Sequence, residues 1–128
     1  MYQSTEDAIE FHRALAAFAE RLAAHDLVIR SLHSEWAHFG SWAVQVTSGD
    51  AEDNRGRALL EHNYAAAGPV IIEAVWDGRE HELLIRCTSS GVLSMHNQWQ
   101  QMARRSLESS VAAMDWAEQY FVGHCDDA

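Results

Sequence analysis

The chain has 128 residues, 48% of them hydrophobic, with a single proline and no low-complexity tract. That suits one domain spanning 1–128 with a real core, and it argues against disorder. Nineteen acidic and nine basic residues give a formal net charge of −10, which disfavours nucleic acid and anionic membrane surfaces, both gripped through Lys and Arg, and favours a cationic partner steered in by the field.

Residues 5–25 read as an amphipathic helix capped by Ser4 or Thr5, with Glu6 and Asp7 in the first turn. Ala8, Phe11, Leu15, Phe18 and Leu22 recur at spacings of three and four, so they share one core-facing stripe. The period then changes. Val28, Leu32 and Trp36 alternate with Arg30 and Ser34, and Phe39, Gly40 and Ser41 offer a turn. Trp42, Val44 and Val46 then alternate with Gln45 and Thr47, completing an antiparallel hairpin with one buried face. A polar loop follows from Ser48 to Asn54. Residues 56–66 fit either a short helix or a strand, and the strand is favoured because Gly68 and Pro69 then turn the chain into the next hairpin. That hairpin runs from Val70 to Trp76, turns at Asp77 and Gly78, and returns from Glu80 to Thr88. Asp-Gly between β-rich runs is a strong hairpin signal. On the return arm His81, Leu83, Ile85 and Cys87 are expected on one face, and Glu80, Glu82, Leu84 and Arg86 on the other. A long helix is expected over about 94–121, with Met95, Trp99, Met102, Leu107, Val111, Met114, Ala117 and Phe121 as its stripe. The tail from about 123 is expected to fray.

The fold class is therefore α+β: an N-terminal helix, an antiparallel meander of about four to five strands and a long C-terminal helix, in two layers. No apolar run reaches the roughly 20 residues of a membrane-spanning helix. The polar, acidic first residues lack the basic and apolar regions of a signal peptide, so a cytosolic location is expected. Cys87 and Cys125 do not make a disulfide framework. Cys87 reads as a small core residue and Cys125 as an oxidisable thiol near the end.

Eight histidines raise the question of metal or acid–base chemistry. His33 and His38 lie five apart, and the others are scattered or paired only as His124-Cys125. None forms the HExxH, HxH or paired CxxC spacing that gathers zinc ligands. Asp50, Glu52 and Asp53 suggest a calcium loop, but Arg55 stands where the EF-hand turn needs glycine. No nucleophile elbow, Walker loop or dinucleotide fingerprint is present. No metal, cofactor or catalytic residue is expected; an enzyme or ligand-binding domain assembled from distant residues is the further alternative. The positive signal is a surface for a protein. Asp50, Glu52, Asp53, Asp77, Glu80 and Glu82 are the candidate partner-binding carboxylates, at loop ends where tryptophans could serve as anchors.

Small size, acidity and helix–meander–helix order, with Leu59-Leu60-Glu61-His62, the run from Gly68 through Trp76 to Gly78, and Glu82-Leu83-Leu84-Ile85, resemble the TriTu-type immunity proteins of bacterial polymorphic toxin and contact-dependent inhibition systems. The likeness covers about the central third of the chain, and its motif is structural. It implies a cytosolic antidote that binds a basic toxin domain, often a nuclease, and blocks its active site or substrate groove. It assigns no individual residues, because such interfaces are particular to each pair. A small acidic secretion chaperone, binding an extended effector segment as a homodimer, is the alternative of similar size and charge.

Overall fold

The computed structural model describes residues 4–48, 71–88 and 99–125. In these, α1 (Thr5–Ala24) is followed by β1 (Leu27–Glu35), β2 (Ser41–Ser48), β3 (Ile72–Asp77), β4 (Glu82–Thr88), β5 (Trp99–Ser106) and α2 (Ser110–Cys125). The strands form one antiparallel sheet in the order β1-β2-β3-β4-β5. This is the α+β architecture expected, a five-stranded meander between two helices.

Ser4 caps α1 reciprocally with Asp7: the Asp7 N–H donates to Ser4 Oγ (3.1 Å) and the Ser4 N–H to Asp7 Oδ2 (3.4 Å). The helix ends where Asp26 takes a left-handed backbone (φ 61°), a conformation Asp tolerates better than most residues. Phe11, Leu15, Phe18 and Leu22 are buried as the stripe requires. They meet Ala113, Met114, Ala117 and Phe121 of α2 in one cluster with Trp42, Val44, Val46, Ile72, Ala74, Trp76, Leu83 and Ile85. Cross-strand pairing of Val44 with Ala74, and of Ala74 with Ile85, places these strand residues on one face. Both helices therefore cover the same side of the sheet. An Arg21–Glu118 ion pair (Nε–Oε1 2.6 Å) ties one helix to the other. Truncating Phe18 or Phe121 to Ala would cost about 3–5 kcal/mol.

Three expectations change. The first is the long helix over 94–121, because 99–106 is strand β5 and α2 starts only at Ser110. Gln100, Gln101, Met102, Ala103, Arg104 and Arg105 favour a helix by propensity, yet the exposed backbone of β4 recruits them, pairing Ile85 with Ala103 and Leu84 with Arg104. Met102 consequently stays exposed, and Leu107 packs from the connector rather than from a helix. The fifth strand is thus β5, whereas the stretch 56–66 lies outside the described residues. The second change is in β1, where Ile29 pairs with Val46 and Ser31 with Gln45, leaving Arg30 as a bulge. The bulge shifts the phase of the strand, so Leu27 rather than Val28 is buried, and Leu32, although paired with the buried Val44, stays exposed. The third is the β3–β4 connection, which holds four residues, 78–81, and puts His81 in the turn with φ 53° rather than in the strand. Helix α2 is described as far as Cys125.

The face away from the helices carries Gln45, Glu73 and Arg86. Glu73 is buried there, receiving Gln45 Nε2 on Oε2 (2.8 Å) and Arg86 Nε on Oε1 (2.5 Å). A buried carboxylate needs such partners to stay charged.

Candidate functional site

An antiparallel meander brings alternate turns to the same end of the sheet. At that end the β1–β2 turn (36–40) meets the β3–β4 turn (78–81). The first turn is held by main-chain bonds from His38 N to Glu35 O (3.0 Å), Gly40 N to Trp36 O (3.1 Å) and Ser41 N to His38 O (3.1 Å). It closes through consecutive left-handed residues, Phe39 (φ 59°) and Gly40 (φ 70°). Such a backbone is natural for glycine and costly for a bulky aromatic. Phe39 nevertheless keeps its side chain about half exposed.

Ser41 fastens the two turns together. Its hydroxyl donates to His38 O (2.6 Å) and accepts the buried N–H of Gly78 (2.9 Å). The Gly78 backbone lies so near the Phe39 carbonyl that a side chain at 78 would overlap it. The Asp-Gly step is therefore needed for this approach and not for a two-residue turn, since Gly78 does not adopt positive φ.

This junction gathers three of the expected carboxylates. Asp77 ends β3, and its Oδ1 accepts N–H groups from Arg79 (2.9 Å) and Glu80 (3.2 Å), which orders the turn. Glu80 is exposed within the turn. Glu82 opens β4 directly opposite Asp77, and like charges so placed are mutually destabilising. Arg104 partly offsets this, with Nε 3.6 Å from Glu82 Oε1. Asp50, Glu52 and Asp53 lie outside the described residues.

Beside Asp77 a cavity of about 380 Å³ opens, lined by His33, Glu35, His38, Ala43, Val75 and Asp77 together with Ser41 and the flanking tryptophan positions. Its position follows from register. His33 pairs with Ala43 and Ala43 with Val75, so these residues share the face away from the helices. The small Ala43 side chain leaves a hollow between β1 and β3. Glu35 and the two histidines were not linked to Asp77 by sequence, because that link requires knowing the strand order. The available signal was local: His33 and Glu35 are two apart in a strand and therefore share a face.

Among the described residues no group of three or more His, Cys, Asp or Glu side chains is placed to hold a metal ion. Burial pushes the Cys87 thiol up from its ordinary value, which keeps it protonated and weakly nucleophilic. Cys87 pairs with Ile72, on the helix-covered side of the sheet and away from the cavity. Among the described residues no helix is long and apolar enough to cross a membrane. No family model matches the chain, and no match was found among curated proteins or solved structures.

Proposed function

We propose that the chain is an immunity protein of the cytosol, binding and neutralising a basic toxin domain through the acidic end of its sheet. One observation carries this reading: Glu35, Asp77, Glu80 and Glu82 are gathered at one end of the sheet, with Asp77 and Glu82 facing each other across the ladder. A fold under selection for stability alone gains nothing from that opposition. A cationic partner relieves it on binding. The exposed Phe39 beside these carboxylates supplies the apolar anchor that an acidic rim needs. A toxin domain that grips nucleic acid is basic, and a surface of this charge competes with its substrate. Such an antidote works by occupying a surface and needs no cofactor.

The test is capture of the partner on the tagged chain, with washes at low and high salt, followed by association kinetics. A single basic toxin-like domain should be held at low salt and released at high salt. Co-expression of the chain should then restore growth to cells making that domain. Reversing Asp77, Glu80 and Glu82 together, and Asp50, Glu52 and Asp53 in a second variant, should slow association and flatten its salt dependence. Unchanged kinetics in both variants would sink the reading.

The secretion-chaperone alternative draws on β1, the outermost strand at its side of the sheet among the described residues, with Val28 and Leu32 exposed. The bulge at Arg30 opposes strand addition there. A stable homodimer by light scattering, with an extended secreted effector on the column, would favour the chaperone.

A further inference from the structure

Resting on that reading, we propose that the cavity between β1 and β3 receives an arginine side chain of the basic partner. The hollow of about 380 Å³ is at the low end of ligand-site volumes, roughly 300–1,000 Å³, so it suits one long side chain rather than a large cofactor. Its floor is apolar, made by the paired Ala43 and Val75, a bed on which an aliphatic stem can lie. Its two sides each carry a carboxylate, Glu35 from β1 and Asp77 from β3, with His33 and His38 also in the lining.

Neither carboxylate has an ion-pair partner among the described residues. Asp77 commits Oδ1 to the turn amides, which leaves Oδ2 to a ligand. Because β2 lies between β1 and β3, the two flanking strands run about 10 Å apart. A planar guanidinium with donors on both edges can bridge carboxylates reaching in from the two sides. A compact ammonium can satisfy only one at a time. The geometry therefore selects arginine over lysine.

The experiment is an NMR titration of the methyl groups of Ala43 and Val75 with N-acetyl-arginine amide. N-acetyl-lysine amide and the uncharged N-acetyl-citrulline amide serve as controls. Saturable shifts at both methyls are expected with the arginine probe, with no response to citrulline. The lysine probe should bind about tenfold more weakly, the value of one charge-assisted hydrogen bond. Glu35→Gln should weaken the arginine probe by a similar factor. Ala43→Leu, which fills the hollow with a residue strands accept, should abolish binding without lowering Tm.

Equal response to lysine, or shifts that survive Ala43→Leu, would overturn the pocket. The two proposals fail separately. A captured basic partner whose affinity ignores Ala43→Leu removes the pocket and keeps the antidote reading. A selective arginine response with no basic protein partner keeps the pocket and removes the antidote.

Discussion

Gly78 carries the tightest steric condition among the described glycines. A methyl group there would meet the Phe39 carbonyl, which is backbone and cannot swing aside, and the Gly78 N–H is committed to Ser41. Gly78→Ala should therefore cost about 3 kcal/mol, the upper range of an overpacked site. Ser41→Ala should cost about 1–2 kcal/mol by leaving that buried donor unpaired. Urea denaturation of each variant measures both, and a neutral Gly78→Ala would mean that the two turns do not touch. Thr47 poses the opposite case, because its buried hydroxyl finds no hydrogen-bond partner among the described residues. Thr47→Val keeps the shape and removes the orphan, so a gain of up to about 1 kcal/mol is expected by the same measurement. Cys87 sets a pH limit. Burial raises its folded pKa above the ordinary thiol value of 9.0, so the folded state holds the proton that the unfolded chain releases. The contribution is intact below pH 9 and is lost as pH rises from there through the raised folded value. Urea midpoints from pH 7 to 10 should fall more steeply for the native chain than for Cys87→Val.

At the scale of elements, what could be read in advance follows how far each signal is local. α1 was legible because its cap and its stripe are local to the helix, and β2 because Trp42, Val44 and Val46 alternate without interruption. β5 was not legible. Its residues favour a helix, and the force that makes them a strand is the open edge of β4. Likewise the exposure of Val28 depends on a bulge that no residue type announces, because the bulge puts Leu27 and Ile29, not Val28, in phase with Leu32. Among the site residues, Asp77, Glu80 and Glu82 were accessible as charges beside an Asp-Gly turn, whereas Glu35 joins them only through strand order. The Glu73–Arg86 pair on β3 and β4 is a tertiary feature of the same kind, and it yields a prediction. Arg86→Leu alone strands a carboxylate whose side chain is only 9% exposed. That should cost about 3 kcal/mol. Adding Glu73→Leu should restore most of it, because an apolar pair needs no solvation. Equal cost in the single and double variants, measured by thermal unfolding, would show that the pair contributes as an ion pair rather than as a burial problem.

The whole molecule carries a formal charge of −10, and salt acts on that charge twice, with opposite signs. Carboxylates crowded at one end of the sheet repel one another in the folded chain more than in the expanded unfolded one, so the field opposes compaction. Raising ionic strength from about 0.01 to 0.15 M shortens the screening length from about 30 to about 8 Å. That range covers contacts among exposed carboxylates on neighbouring turns. The Arg86 contact to buried Glu73 is too short and too enclosed to be screened as strongly. Stability of the isolated chain should therefore rise across this range of salt. Association with a basic partner should slow across the same range, because steering depends on the unscreened field. The two responses must also share a cause. Replacing Asp77, Glu80 and Glu82 by their amides should flatten both the rise in urea midpoint and the fall in association rate. If the amide variant flattens stability alone, the carboxylates at this end strain the fold without guiding a partner, and the binding surface must be sought elsewhere on the molecule.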